Sequence, residues 1–386
     1  MEFTLTKTQK AVRKAVKGFT KEILAPIAPI YDKKDGSIME HPEIIKNMAD
    51  MNLFGIQIDE NFGGADLDSI SYIIAIEEIS KACAATGLMT TVHNSVVAAP
   101  IEKFGTEGQK ERYLQDLATG KKIGSFSITE PNAGSDAGAM ETTAKKDGDE
   151  YILNGTKCFV TNGALSETFL IGASIDRKKK HRGIVLFIVE KDMKGFEVGK
   201  LENKIGMRGN PVSDLLLKDV RVPEENILGN TKNGFKLMME TLNMGRIGIA
   251  AQALGIGTAA FEAAAKYAIE RKQFGRSIGE FQALKFKLAE MKTKLDSARH
   301  LIFRAGNLKD RNKNISEASA MAKYWAAENA MKVCTDAMQI FGGSCIVQDL
   351  PVQRYFRDCK ITEIYEGTSE VMKMIIGNKI LRHYRN

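Results

Sequence analysis

A chain of 386 residues, 44% hydrophobic and 27% charged, is longer than one ordinary core holds, so two or three domains are expected. The composition is that of a soluble globular protein, and charges interrupt the longest apolar runs, so no membrane span is expected. The net charge of +7 suits a polyanionic partner, yet the lysines are dispersed and no basic tract carries interleaved aromatics, so no nucleic acid is expected.

The opening residues, Met1-Glu2-Phe3-Thr4-Leu5, lack the basic-then-apolar layout of a signal peptide, and the early Glu2 argues against a transit peptide; a cytoplasmic location is expected. Up to about Gly120 the chain reads as helices, with apolar positions at helical spacing through Ile44–Phe54 and Ile70–Ile79. Within it, Ser69–Cys83 is helical in composition and carries an acidic polar face. From Ile123 to about Leu228 the texture changes to alternation and turn residues. Tyr151–Leu153, Asn154-Gly155 and Lys157–Val160 look like a hairpin on an Asn-Gly turn. Glu167–Ser174, Gly183–Glu190 and Asp214–Val222 read as further strands, and the basic run Arg177-Lys178-Lys179-Lys180 reads as a solvated hairpin tip. A small β-barrel or sandwich accounts for this region.

After Pro223 no proline occurs until Pro351, and the interval is rich in good helix formers. Phe281, Leu284, Leu288, Met291, Leu295, Ala298, Ile302 and Ala305 repeat at spacings of three and four, predicting a long amphipathic helix. Met321 to Ile340 predicts another, stopped by Gly342-Gly343. The expected class is α+β: an N-terminal all-helical domain (1–122), a middle β-barrel domain (123–230) and a C-terminal four-helix bundle (231–386).

Gly255-Ile256-Gly257-Thr258-Ala259-Ala260 has the spacing of a dinucleotide fingerprint, but a helical stretch precedes it where a strand is needed. Its glycines are expected to let neighbouring helices approach. The five cysteines and five histidines are scattered without ligand spacing, so no metal and no disulfide frame is expected.

Four segments have the make-up of binding loops. Thr129-Glu130-Pro131-Asn132-Ala133-Gly134-Ser135-Asp136 offers hydroxyls and backbone amides, or is merely a loop. Phe159-Val160-Thr161-Asn162-Gly163 ends a strand, and alternation puts Phe159 and Thr161 on one face, either to flank a planar ring or as core beside a turn. Arg271-Lys272-Gln273-Phe274-Gly275, followed by Phe281-Gln282, places a guanidinium at a helix end, suited to a pyrophosphate. Gln339-Ile340-Phe341-Gly342-Gly343 stands with Thr362–Glu370, where Glu366 beside a glycine and two hydroxyls is either a helix start or a base beside an anion-binding turn.

Together and in this order, these segments resemble the acyl-CoA dehydrogenase family, nearest its short-chain, butyryl-CoA branch. The resemblance runs from Asn61-Phe62-Gly63-Gly64 to the C-terminus and is most specific in Leu242–Ala250 and Arg357–Thr368. It implies an oxidoreductase that takes an α-proton from an acyl-CoA onto Glu366 and passes a hydride to N5 of FAD. It implies that Phe126, Ile128, Thr129 and Ser135 line the flavin, with Ser135 also near the substrate, and that Phe159 and Thr161 flank the ring. Arg271, Phe274, Gln339, Gly342 and Gly343 would bind the FAD of a neighbouring subunit, Phe281 and Gln282 would also bind FAD, and Thr368 and Glu370 would contact the adenine half of FAD. Asn243, Arg246 and Gly367 would hold the substrate. A homotetramer and an electron-transfer flavoprotein as partner are implied.

Some relatives carry the base just before the arginine equivalent to Arg246; here that position is Gly245, which leaves the role to Glu366. Ser344-Cys345-Ile346, Asn243 and Arg208–Val212 depart from the family pattern and bear on the acyl pocket, so a small alicyclic ring stands beside a short chain as the expected acyl group. Two competing readings are the same fold running as an enoyl-CoA reductase and a flavin-bearing nucleic-acid binder.

Overall fold

The computed structural model of the protein describes residues 4–33 and 36–385, so the reading of Met1–Phe3 lies outside it. Helices α1 (Lys7–Phe19), α2 (Ala25–Tyr31), α3 (Pro42–Asp50), α4 (Ser69–Ala82), α5 (Ala84–His93), α6 (Ala99–Phe104) and α7 (Glu107–Ala118) form the N-terminal region. Their starts are written locally. Thr6 and Thr106 each close a capping box with the glutamine three residues on, and the Asp68 carboxylate accepts from Ser71 N at 2.7 Å to start α4. Helix α3 ends at Asp50, short of Phe54, because Asn52 turns left-handed (φ 54°).

The acidic face expected on α4 is not solvated. Glu77 and Glu78 are both buried, Glu77 against the Arg299 guanidinium and Glu78 near Lys81 and Arg13. A helix enclosed on all sides brings its acids inside only if they are paired.

Strands β1 (Gly124–Ser127), β2 (Thr143–Asp147), β3 (Glu150–Thr161), β4 (Thr168–Ser174), β5 (Ile184–Glu190), β6 (Phe196–Leu201), β7 (Val212–Pro223) and β8 (Ile227–Leu228) make one sheet, ordered β6-β7-β3-β2-β4-β5-β8, with β1 parallel to β4. The sheet curls around its own core: Phe169 of β4 and Phe196 of β6, far apart in strand order, meet with ring centroids 4.7 Å apart. The opposite face of β4 and β5, through Leu170, Leu186 and Ile188, packs on α6, α7 and the helices beyond.

The Asn-Gly hairpin is not formed. Strand β3 runs straight through Asn154-Gly155, and the turn falls earlier, at Gly148-Asp149 between β2 and β3. Asn154 instead pins a bulge in β7 with two 2.9 Å hydrogen bonds to Asp219. Gly155 is small because a Cβ there would stand 2.4 Å from Thr142 Oγ1. The basic run Arg177–Lys180 does sit at the exposed tip between β4 and β5.

The C-terminal region consists of α8 (Gly234–Glu270), a short arm β9 (Lys272–Gln273) and β10 (Arg276–Ser277), then α9 (Gln282–Asp310), α10 (Ser316–Phe341), α11 (Val352–Thr362) and α12 (Ser369–His383). One helix, α8, is long and apolar enough to cross a membrane by length and composition alone. Its apolar surface is instead covered by α4, α9 and α10. The glycines of the apparent fingerprint lie mid-helix, as contact points. A Cβ on Gly255 would fall 2.4 Å from the Glu77 carbonyl oxygen, and one on Gly257 2.9 Å from Leu295 Cδ2. Gly255→Val should therefore cost about 1–3 kcal/mol by overpacking. Gly18→Ala, in open space on α1, should stabilise by roughly 0.5–1 kcal/mol. Thermal melts of the two variants check the contrast.

Candidate active site

Glu366 stands in the turn between α11 and α12 with a left-handed backbone (φ 51°), followed by Gly367 (φ 100°). Thr368 caps α12, its hydroxyl accepting from Val371 N at 3.3 Å. The residue as a whole is half-buried, but Oε2 is out of contact with solvent and has no hydrogen-bond partner. The carboxyl lies against α8 where Gly245 leaves room: a Cβ there would be 2.2 Å from Oε2. Arg246, the next residue, is buried and donates through Nη1 to Asn243 Oδ1 at 2.7 Å and through Nε to the Glu366 carbonyl oxygen at 3.4 Å. Lys323, reaching from α10, donates to the Gly367 carbonyl oxygen at 2.6 Å. Burial pushes the Glu366 carboxyl up to about 7, against the opposing pull of Arg246 and Lys323.

The segment Asn94–Ala98, a π-helical turn after α5, joins this carboxyl to the middle domain. Val96 faces the Gly245 position, and Val97 packs where a Cβ on Gly124, the first residue of β1, would stand. Beyond β1 lie the residues assigned to the flavin by resemblance. Ser125 Oγ donates to the Thr161 carbonyl oxygen at 2.7 Å, and Cys158 N donates to the Thr129 carbonyl oxygen at 2.9 Å. Phe126, Ile128, Thr129 and Thr161 are half-buried there, and Ser135 is exposed. A bulge at Cys158-Phe159 breaks the alternation expected to put Phe159 and Thr161 on one face. Phe159 is left-handed (φ 55°), and its ring stands 67% exposed.

Glu130, within this loop, is held from behind. Lys157 and Glu130 form a fully buried ion pair at 2.6 Å, and Glu130 also accepts from the Glu141 and Thr142 amides. Sequence reasoning passed over both partners of the pair, and over Lys323. A signal existed for Lys323: it falls on the stripe of small residues that buries α10, at helical spacing from Ser319, Ala326 and Ala330.

The remaining assigned residues are elsewhere. Arg271 caps the far end of α8, twenty-five residues from Arg246 and thus roughly 37 Å along the helix. Phe274 is 91% exposed on the arm, edge-on to Phe281, over which Arg276 lies at 4.3 Å. Gln282 begins α9. Gln339, Gly342 and Gly343 end α10 at the same end of the bundle, because Tyr267 of α8 stacks on Phe341 at 4.2 Å. Cβ atoms on Gly342 and Gly343 would meet nothing, so this end is open. Glu366, Gly367, Thr368, Asn243 and Arg246 thus stand together and are linked to β1 through Asn94–Ala98, while the arm and the α10 end lie apart. Glu370 is exposed on the first turn of α12.

Profiles for three domains match the chain in order: "Acyl-CoA dehydrogenase, N-terminal domain" over 6–121, the middle domain over 125–220 and the C-terminal domain over 232–381. The short-chain specific acyl-CoA dehydrogenase of Clostridium acetobutylicum is 47% identical, covering 99% of this chain and 100% of that protein. Butyryl-CoA dehydrogenase of Megasphaera elsdenii superposes with a TM-score of 0.96 at 42% identity, covering 99% of this chain and 100% of the other. A chain from a study of the electron transferring flavoprotein of Acidaminococcus fermentans and flavin-based electron bifurcation gives 0.95 at 46%, with the same coverage. The chain belongs to the acyl-CoA dehydrogenase family. It is an oxidoreductase, an acyl-CoA dehydrogenase.

The raised carboxyl has a consequence for stability. A Glu366 pKa near 7, against its ordinary 4.5, means the fold favours the protonated form. The stability that depends on it is complete below about pH 4.5 and is lost as pH rises through 7. Glu366→Gln removes this dependence. Its unfolding free energy should exceed the wild type's above pH 7 by on the order of 1–3 kcal/mol, with the difference vanishing below pH 4.5. Denaturant titrations across that range check it.

Proposed function

We propose that the protein dehydrogenates a short acyl-CoA at its Cα–Cβ bond, with Glu366 taking the α-proton. The observation that carries this reading is the unpartnered Glu366 Oε2, held in a buried pocket with a carboxyl pKa near 7. A base must be unprotonated to accept and basic enough to hold the proton, and near neutral pH that pKa serves both needs. The α-hydrogen of a thioester is weakly acidic, so the carbonyl oxygen needs a donor; the Glu366 N–H, on the same turn, is the donor proposed. Arg246, Asn243, Gly367 and Ser135 are proposed to hold the substrate.

Phe159's outward ring, Thr129 and Thr161 fit a planar ring system, and Arg271 with the open Gly342-Gly343 fits a pyrophosphate. FAD is therefore the cofactor proposed, and when bound it supplies the acceptor for the β-hydrogen. Phe126, Ile128, Thr129, Ser135, Phe159 and Thr161 would hold its ring side, and Thr368 and Glu370 its adenine half. A separation of roughly 37 Å along α8 prevents Arg271 from serving the ring site of its own chain. Arg271, Phe274, Phe281, Gln282, Gln339, Gly342 and Gly343 are accordingly assigned to the FAD of a second copy, within a homotetramer whose subunits divide at about residues 122 and 230. The relatives' names support a butyryl-sized acyl group, whereas Ser344–Ile346 follow α10 at the end that lies apart from Glu366 and give no support for an alicyclic ring. Likeness to the Acidaminococcus chain supports an electron-transfer flavoprotein as acceptor.

Anaerobic titration of the flavinated protein with acyl-CoAs tests this reading: butyryl-CoA should bleach the flavin faster than octanoyl-CoA, and the reverse order sinks the short-chain assignment. Glu366→Gln should slow bleaching by roughly 10²–10⁴-fold or more while retaining flavin, since an amide cannot accept the proton. Arg271→Ala should lower flavin occupancy and oligomer stability together, read by light scattering with flavin absorbance. A fully flavinated wild-type monomer would rule out the shared site.

A further inference from the structure

We propose that Lys323 is the positioning residue of the catalytic turn: its ammonium, donating to the Gly367 carbonyl oxygen, fixes where the Glu366 carboxyl and N–H stand. The proposal rests on Glu366 being the base. Glu366 is a side-chain-bearing residue held left-handed and followed by a second residue at positive φ, in a turn that belongs to neither α11 nor α12. Such a conformation is strained and persists only where the surroundings over-determine it. Two buried cations grip consecutive carbonyls of this turn. Lys323 holds Gly367 at 2.6 Å, whereas the Arg246 contact to the Glu366 carbonyl is long at 3.4 Å. Tyr365 adds a hydrogen bond to Gln252 on the side leading into the turn.

Nothing in the packing of α10 itself calls for a lysine at this point. Lys323 is fully buried on a face of serine and alanines, and an ammonium brought inside is unfavourable unless it is met by partners. What meets it is the Gly367 carbonyl, and around it the charges of Glu366, Arg246 of α8, Glu363 at the end of α11 and Glu370 of α12. The small neighbours leave the stem a clear path to the turn.

The same placement has an electrostatic effect. Glu366 faces Arg246 and Lys323, and its charge reaches Tyr72 of α4 and Tyr365. When Glu366 takes a proton, both cations remain beside the turn, where they favour negative charge developing next to it. Removing Lys323 withdraws one cation and frees the turn.

The test compares the flavinated oligomers of Lys323→Met, which keeps the stem's volume, and Lys323→Arg, which keeps the charge. Lys323→Met should lower kcat by 10–100-fold with KM little changed, and move the acid limb of the pH–kcat profile at least half a unit upward. Lys323→Arg should return the limb to within 0.2 units of the wild type. Infrared difference titration of the Glu366 carboxyl, with Glu366→Gln as the blank, should show the same upward move without any turnover. An unmoved limb and unmoved infrared titration in a folded Lys323→Met protein would overturn the proposal. If Lys323→Met does not assemble, an Arg variant that assembles yet titrates more than half a unit from the wild type overturns it instead. Full activity of Glu366→Gln would refute the base assignment, while the infrared titration would still report on Lys323.

Discussion

Helix α8 is apolar on nearly every side, and in water such a helix is stable only when it is surrounded. The rest of the molecule is arranged around that constraint. Helices α4, α9 and α10 cover it, and they come close because glycines replace side chains where the helices touch. The same device, one turn apart along the helix, serves chemistry. Gly245 accepts the Glu366 carboxyl, and Gly248 accepts the Tyr72 hydroxyl. Core packing and the geometry of the candidate site thus share one structural solution, and one wall of the site is a helix enclosed through its middle.

Strain marks the other half of the site. Phe159 and Glu366, on different domains, both hold left-handed backbones, and neither is glycine. At Phe159 a bulge supplies the conformation and turns a ring that a regular strand would have kept in register out towards solvent. At Glu366 the turn's carbonyls are held by Arg246 of α8 and Lys323 of α10. In both cases the side chain assigned to the candidate site stands where regular secondary structure has been interrupted.

Much of this was legible in the sequence where the signal is local. The three-and-four spacing from Met291 to Ala305 gives the buried stripe of α9, and Gly342 stops α10. Misreadings arose where the deciding neighbour is distant. Asn154-Gly155 has turn chemistry, but Thr142 and Asp219 use it within a continuous strand. Glu77 looks like a solvated acid, yet Arg299, 222 residues away, makes it a buried one. Lys323 resembles any surface lysine until its helix is set against the turn at Gly367. Periodicity assigns residues to faces; it does not say which partner covers a face. Glu366 was singled out because a whole motif surrounds it, while Lys323 has no motif of its own.

The Lys157–Glu130 pair has a consequence for how the protein behaves in different ionic media. Mobile ions screen charges they can approach, with a Debye length of about 8 Å at physiological strength. The exposed pairs of Arg221 with Asp147 and Glu150, at the far end of β2 and β3, are open to that screening. Lys157 and Glu130 are not, since both side chains are enclosed. Added salt therefore loosens the outer end of this hairpin before the inner one. The loop from Thr129 to Ser135, fastened by the enclosed pair, keeps its shape in brine as in dilute buffer.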